Sequence, residues 1–136
     1  MPKGELSVGA SGIATRIVQE ADLASKLAAE PGEAFPAVLA TTRMIALMEL
    51  ASARAMRSIL DTGELSVGAE LTVSHMAPTP VGASVRARAR FTGLEGKLYC
   101  FDVTAEDEGG EIGRGLHKRA IVETERLLQT AKDRQK

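Results

Sequence analysis

The spacing of hydrophobic residues changes along the chain and separates one long helix from a series of strands. Residues 11 to 19, SGIATRIVQ, have the pattern of a first strand, and residues 20 to 36 contain a short helical turn followed by Gly and Pro. From Thr41 or Thr42, each a suitable N-cap, apolar residues recur at helical spacing for about five turns and stop at the sequence DTG. We therefore predict a long helix that begins near residue 41.

Beyond Gly63 the pattern predicts four strands, at residues 65–76, 83–93, 97–107 and 111–124, with Gly or Pro in the turns. The clearest alternation, SVRARARF, places apolar residues on one face and Arg86, Arg88 and Arg90 on the other. Residues 124–136 are polar and predict a frayed helix or tail. These elements predict one α+β domain, residues 1–136, in which a five-stranded antiparallel sheet curls around a helix that is apolar on all sides. The open edges of such a sheet favour a dimer.

The composition is that of an ordinary globular domain, with 44% hydrophobic residues, 26% charged residues and a formal net charge of -1. This charge gives no reason to expect nucleic acid or an anionic membrane as a partner, and an aromatic content of 3% argues against a base-stacking surface. A single cysteine, Cys100, excludes an internal disulfide and fits a reducing compartment. No apolar run has the length of a signal peptide or a membrane span, so we expect a cytoplasmic protein.

One carboxylate, Glu49, interrupts the apolar helix sequence ATTRMIALMELASA. Its neighbours at three and four positions are Ile45, Ala46, Ser52 and Ala53, so the helix itself offers no cation as a partner. A buried carboxylate without a partner costs on the order of several kcal/mol. We therefore expect either a partner from another element or a functional use for this residue.

The strand SVGAELTVSHMAPTP supplies a candidate partner for Glu49. Alternation places His75 on the inward face with Val67, Ala69, Leu71 and Val73, and Gly68 on the other face. A histidine and a carboxylate would then meet in the interior, where each can act as a base near neutral pH. Thr41 adds a hydroxyl and the helix N-terminus adds free N–H groups, which together form a set suited to acyl transfer or hydrolysis.

Each of these residues also has a structural interpretation. Glu49 and His75 could form an ion pair that only stabilises the fold, and Thr41 could serve only as an N-cap. The row of Arg86, Arg88 and Arg90 is interpreted as a solvated sheet face that could alternatively receive phosphates. Cys100 is expected to be a small buried hydrophobic residue. His117 is expected to lie on the surface, because it alternates out of phase with Leu116, Ala120 and Val122.

Three blocks of the chain resemble fluoroacetyl-CoA thioesterases of the hot-dog fold: FPAVLATTRMIALMELASARAM, VSHMAPTPVG and EIGRGLHKRAIV. The similarity spans about residues 35 to 122, with the blocks in the same order and at similar spacing. It implies a helix wrapped by an antiparallel sheet, and a homodimer or a dimer of dimers. It also implies hydrolysis of a short acyl-CoA thioester at the subunit interface, with coenzyme A as part of the substrate and with no metal or bound cofactor.

The resemblance also implies roles for individual residues. Thr41, Glu49 and His75 match the family's catalytic threonine, carboxylate and histidine. The substrate-binding positions that match are Phe35, as a lid residue, Gly68, whose backbone binds the thioester, and Arg119.

The chain departs from this family at positions that surround the substrate. Gly32 stands where the fluoroacetyl-specific enzyme has a second lid phenylalanine, and Thr42 and Arg43 replace a small residue and an aromatic one. We therefore expect the catalytic groups to be retained without selectivity for a fluorinated acyl group. The alternative interpretation is a hot-dog dimer that binds or senses acyl-CoA without turnover. A hydratase of the same fold is less consistent with the sequence, because its acid and histidine usually lie close together in the chain.

Overall fold

The computed structural model describes residues 5–135 and contains the elements that the hydrophobic pattern predicts. The strands are β1 (Ser11–Ile17), β2 (Glu64–His75), β3 (Ser84–Glu95), β4 (Leu98–Asp107) and β5 (Gly110–Glu123). The helices are α1 (Thr41–Met56) and α2 (Thr124–Asp133), and short 3₁₀ turns lie at Glu20–Asp22, Ala24–Leu27 and Arg57–Ile59. The predicted bounds of the strands and of the long helix are confirmed to within a few residues.

The five strands form one antiparallel sheet in the order β1-β3-β4-β5-β2, so β1 and β2 are its two edges. On β3 the alternation is as predicted: Val85, Ala87, Ala89 and Phe91 are buried, and the three arginines between them are exposed. The inner face of this sheet packs against one side of α1, where the buried residues are Met44, Leu47, Met48, Ala51, Ser52, Ala55 and Met56.

Strand β1 makes an unusually close approach to α1. A Cβ atom added to Gly12 would overlap the carbonyl oxygen of Ala51 and would lie 2.8 Å from the backbone nitrogen of Ala55. Beside it, Nη1 of Arg54 donates a hydrogen bond of 2.9 Å to the carbonyl oxygen of Ile13. The second half of the helix is therefore held against the sheet by direct backbone contact, for which a glycine is needed.

The helix is not covered on all sides, which corrects the prediction from its composition. Ala46 and Leu50 are exposed, the latter at 43%, and the Glu49 side chain is 44% exposed. One sheet can cover only one side of a helix, so the opposite apolar side remains open in a single protomer.

Strand β2 contains a bulge that the sequence pattern does not reveal. Gly68 pairs with Arg119 and Glu70 pairs with Lys118, so Ala69 has no partner on β5. One extra residue reverses the alternation of faces. Gly68 therefore shares the inward face with Leu71, Val73 and His75, whereas alternation alone assigned Gly68 to the opposite face.

The remaining features concern the end of the chain and its hydropathy. The residues predicted as a frayed helix or tail form α2 as far as Asp133, and this helix is exposed along its length. Within residues 5–135, no helix is both long enough and apolar enough to cross a bilayer.

Candidate functional site

Two of the predicted site residues meet at the start of α1. The hydroxyl Oγ1 of Thr41 lies 2.7 Å from Nδ1 of His75, the last residue of β2. Thr41 is the first residue of the helix and Ala40 is the N-cap, with extended backbone and no side-chain cap. The prediction that Thr41 or Thr42 caps the helix is therefore wrong, because the Thr41 hydroxyl bonds across to the sheet.

The Thr41–His75 pair lies in a cavity of about 270 Å³. Apolar side chains from residues 36–39 and 76–78, together with Ala24, form the rest of its wall. The Nε2 atom of His75 is shielded from solvent and has no hydrogen-bond partner in the described part of the chain. A buried polar atom without a partner is uncommon, so packing of the fold alone does not explain its position.

Glu49 lies at a different place, farther along α1. Its Oε1 is 3.4 Å from Nη1 of Arg119 and 3.9 Å from Nε2 of His117, both on β5. Glu49 does receive partners from another element, as expected, but within one protomer these are Arg119 and His117 and not the predicted His75. Eight residues of helix separate Thr41 from Glu49, which at ~1.5 Å per residue places them about 12 Å apart along the axis.

His117 is buried, with only 2% of its surface exposed, so its predicted surface position is wrong. The inward residues of β5 are Gly113, Gly115, His117 and Arg119, whereas Leu116 points outward and is 60% exposed. From the sequence, the apolar residues of β5 are expected to face inward, whereas in the structure small and polar residues occupy that face. His117 and Arg119 are two positions apart on one strand and therefore share a face, and this spacing is the signal that would have placed His117 inside.

The buried groups around Glu49 form a continuous hydrogen-bonded network. Nδ1 of His117 lies 2.9 Å from the carbonyl oxygen of Glu70, and Nε2 lies 3.0 Å from Nη1 of Arg119. The other nitrogens of Arg119 donate to Ser66, from Nε to Oγ at 3.1 Å and from Nη2 to the carbonyl oxygen at 2.9 Å. Arg119, which is 5% exposed, is therefore held on the sheet and aimed at the carboxylate.

Burial and charge shift the titration of this network. Burial lowers the pKa of His117, and the neighbouring Arg119 cation lowers it further, against opposing effects of the Glu70 carbonyl and Glu49. Burial also lowers the pKa of Arg119, and the carboxylate of Glu49 opposes that change. The lowered pKa of His117 favours a neutral imidazole in this network near neutral pH.

A residue that sequence reasoning missed, Asp22, anchors the start of α1. Its side chain is fully buried, accepts a 2.7 Å hydrogen bond from Nε of Arg16 and lies 3.7 Å from Nε of Arg43. Its carbonyl oxygen accepts the N–H of Ala40 at 2.9 Å. The hydrogen bond from Arg16 holds the pKa of Asp22 below its usual value, against the effect of burial. No sequence pattern links these partners, since Asp22 and Arg43 are brought together only by the fold.

The predicted substrate-binding residues lie in different surroundings. Gly68 is directly beneath Glu49, since a Cβ atom added to it would meet the carboxylate and would lie 3.1 Å from Cε1 of His117. Phe35 is 46% exposed and lies outside the wall of the Thr41–His75 cavity. The three arginines of β3 are exposed on the outer sheet face, and Cys100 is only partly buried. Among residues 5–135, no cluster of three or more His, Cys, Asp or Glu side chains is placed to bind a metal ion.

Comparison with known proteins gives consistent matches over most of the chain. Residues 18–125 match the family model of the fluoroacetyl-CoA-specific thioesterase FlK. A fluoroacetyl-CoA thioesterase from Streptantibioticus cattleyicolor is 43% identical over 102 residues, which cover 75% of this chain and 72% of that protein.

Solved structures extend these matches to the fold. The structure of the fluoroacetyl-CoA thioesterase FlK superposes with a TM-score of 0.87 and 37% identity, over 97% of this chain and 98% of the other. A thioesterase superfamily member from Thermus thermophilus superposes with a TM-score of 0.85 and 27% identity, over 96% of each chain. The chain therefore belongs to the fluoroacetyl-CoA-specific thioesterase family and has its hot-dog fold.

Proposed function

We propose that this protein hydrolyses acyl-CoA thioesters with short acyl groups, and that Thr41, Glu49 and His75 carry out the reaction. Thioester hydrolysis is the activity named for the relatives that it matches. The observation that carries the assignment of residues is the Thr41–His75 pair, whose Oγ1 and Nδ1 atoms lie 2.7 Å apart and whose residues line a pocket of about 270 Å³. A pocket of about 270 Å³ suits an acyl group of a few carbons.

Thr41 stands where an oxyanion would need stabilisation. Its hydroxyl and the N–H groups of the first turn of α1 converge at a helix N-terminus, where the helix dipole favours negative charge. The carbonyl oxygen of a thioester becomes negative as it is attacked, so donors placed there lower the barrier. His75, bonded to the same hydroxyl, fixes its direction and can carry a proton on the ring.

Glu49 is the group best placed to start the reaction. Its side chain is 44% exposed and lies over Gly68, so one side of the carboxylate remains open to an incoming molecule. The Arg119 cation, with Nη1 3.4 Å from Oε1, lies on the other side of the carboxylate and can hold it in place as a base or a nucleophile.

The complete site requires two protomers in this proposal. Because Thr41 and Glu49 of one chain are about 12 Å apart along the helix, one thioester carbonyl cannot reach both. The exposed side of α1, with Leu50 at 43%, and the unpaired edge of β2 lie next to Glu49. Pairing of two β2 edges would cover both surfaces and bring the Glu49 of one protomer towards the Thr41–His75 pair of the other.

The chemistry balances by either of two routes. In the first, Glu49 takes a proton from water as the water oxygen bonds to the thioester carbon. The carbon–sulfur bond then breaks, and the thiolate of coenzyme A is protonated through His75. In the second, a carboxylate oxygen of Glu49 attacks the carbon, the thiolate leaves, and water opens the resulting anhydride. Turnover in labelled water separates them, because only the second route places the label in Glu49.

The acyl group is the least constrained part of the substrate. Gly32, where the fluoroacetyl-specific relative carries a lid phenylalanine, has nothing within 4 Å of its Cβ position. Phe35 is nearly half exposed. With this open segment we expect acetyl and propionyl thioesters to be cleaved with little preference for fluoroacetyl, as measured by kcat/KM over a short acyl-CoA panel.

The decisive test is Glu49→Gln, which keeps the volume of the side chain and removes its charge. We expect kcat for acetyl-CoA to fall about a hundredfold or more, the scale of losing a positioned base or nucleophile. The melting temperature should change little, because the amide oxygen of Gln can still accept the hydrogen bond from Nη1 of Arg119. Glu106→Gln, an exposed carboxylate on β4, is the matched control and should retain full activity. Unchanged turnover in the Glu49 variant would refute the catalytic assignment, and tight acyl-CoA binding without turnover in the parent would favour a sensing role.

A further inference from the structure

We propose that His117 is a positioning residue that holds the Arg119 guanidinium against Glu49, and that it does so as a neutral imidazole protonated on Nδ1. The inference rests on the proposed function of Glu49 in thioester hydrolysis. His117 is placed inside the sheet, 3.9 Å from the carboxylate and shielded from the substrate cavity of Thr41. It therefore acts on the reaction through Arg119.

The hydrogen-bond partners determine which ring nitrogen carries the proton. The carbonyl oxygen of Glu70 can only accept, so Nδ1 of His117, at 2.9 Å, must be the donor. Nη1 of Arg119 can only donate, so Nε2 of His117, at 3.0 Å, must be the acceptor. Only the neutral tautomer with hydrogen on Nδ1 satisfies both contacts.

The Nε2 lone pair matters because it fixes one end of the guanidinium. Ser66 takes the hydrogens of Nε and Nη2, which leaves Nη1 to face both His117 and Glu49. With one Nη1 hydrogen on the imidazole, the other is directed at the carboxylate. Without that acceptor, a buried N–H would lack a partner and the guanidinium would turn to regain one.

Protonation of His117 would disrupt the same arrangement. A doubly protonated ring could not accept from Arg119, and two cations would stand 3.0 Å apart. The titratable groups that face the ring are Glu49 on α1 and Arg119 on β5, with Tyr99 of β4 opposite Arg119. Strand β2 contributes only the Glu70 carbonyl. Burial and Arg119 both keep the pKa of His117 low, which favours the neutral form that the geometry requires.

Two substitutions separate the two ring nitrogens. His117→Gln places an amide oxygen near the position of Nε2 and keeps an acceptor for Arg119, whereas His117→Asn places an amide nitrogen near Nδ1 and keeps only the bond to Glu70. We expect His117→Asn to lower kcat by on the order of tenfold to a hundredfold with KM nearly unchanged. His117→Gln should stay within a few fold of the parent.

The tautomer can be read directly in the unmodified protein. The chain has only two histidines, so nitrogen-15 spectra of labelled imidazoles contain two rings, and His117→Gln assigns them. We expect the His117 ring to be protonated on Nδ1 and to remain neutral down to lower pH than a free histidine. A His117 ring protonated on Nε2 would overturn the proposal without any kinetic measurement.

The kinetic outcomes are equally distinct. Full activity in His117→Asn, or equal losses in both variants with unchanged melting temperatures, would also overturn the proposal. A parent protein that cleaves no acyl-CoA thioester, yet shows the Nδ1 tautomer, would refute the proposed function alone. Hydrolysis by the parent combined with the Nε2 tautomer would refute the role of His117 alone.

Discussion

The substitution Gly68→Ala tests whether the position of the Glu49 carboxylate matters, because it displaces this carboxylate without changing its chemical identity. The added Cβ atom would lie closer than 3.0 Å to Oε1 of Glu49, a separation that real Cβ atoms essentially never show, and 3.1 Å from Cε1 of His117. The backbone of Gly68 is not in the left-handed region, so alanine can adopt it without strain. The atom that must yield is the far end of a flexible side chain, and the strand itself can stay in place.

The size of the effect follows from this overlap. To regain an ordinary contact of about 3.4 Å, the carboxylate must move by roughly 1 Å, away from Arg119 and from its position over β2. A misplacement of about 1 Å in a catalytic group can cost on the order of a hundredfold in rate. That factor corresponds to about 2.7 kcal/mol of transition-state stabilisation. Stability should hardly change, because replacing a strand glycine by alanine gains about 0.5–1 kcal/mol, which offsets the crowding.

The measurement compares kcat and melting temperature for the parent, Gly68→Ala and a matched control. Gly109→Ala adds the same methyl group in the turn between β4 and β5, where Cβ would lie 3.3 Å from Oδ1 of Asp107, far from Glu49. We expect a loss of about a hundredfold in kcat for Gly68→Ala and none for Gly109→Ala. If Gly68→Ala retained kcat within a few fold of the parent, the precise placement of Glu49 could not be a requirement of the reaction.

Two further predictions concern stability. Asp22→Asn removes the charge that binds both Arg16 and Arg43. The side chains of these arginines are 40% and 50% exposed and can turn to water, which limits the loss. The free energy of unfolding should therefore fall by about 1–3 kcal/mol. Since Asp22 has a lowered pKa in the folded protein, the difference in unfolding free energy between parent and variant should be constant above about pH 4. Urea titrations at more acidic pH should show a smaller difference, and a constant difference down to about pH 2 would contradict the ion pairing. His117 also has a lowered pKa in the folded protein, so below about pH 6.5 the unfolded chain binds a proton that the folded chain does not. The free energy of unfolding should therefore fall by up to ~1.4 kcal/mol per pH unit as the pH drops. His117→Gln should remove that slope, and an identical pH dependence in parent and variant would show that His117 titrates normally in the folded protein.

The elements could be predicted from the sequence because each has a local period. Helix α1 and strand β3 each repeat their apolar residues over several turns or pleats, and both were located within a few residues. The β-bulge at Ala69 could not be found this way, because a single residue without a partner leaves no trace in the composition of β2. That bulge decides that Gly68 faces Glu49, so an error of one residue moved a site position to the wrong face.

The candidate site residues could be selected from the sequence, but the partners of their side chains could not. Thr41, Glu49 and His75 stand out in the sequence because each is polar in an apolar setting, and the structure joins Thr41 to His75. Which cation approaches Glu49 depends on contacts across 70 residues of chain, which no local pattern encodes. The burial of His117 was not predicted because His117 and Arg119 lie on the inward face of β5, whereas the apolar Leu116 of the same strand points outward.

The close approach of Gly12 to α1 has a consequence for how this enzyme family can change its substrates. Backbone packed on backbone has no side chain that can rearrange, so the position of Ala51 is fixed relative to β1, and Glu49, two residues earlier, is fixed with it. The cavity beside Thr41 and His75 is walled instead by Pro36, Val38, Leu39 and residues 76–78, which lie in loops outside the helices and strands. Cavity shape can therefore diverge through these loops, by insertion or exchange of side chains, while the helix that carries Glu49 keeps one fixed placement.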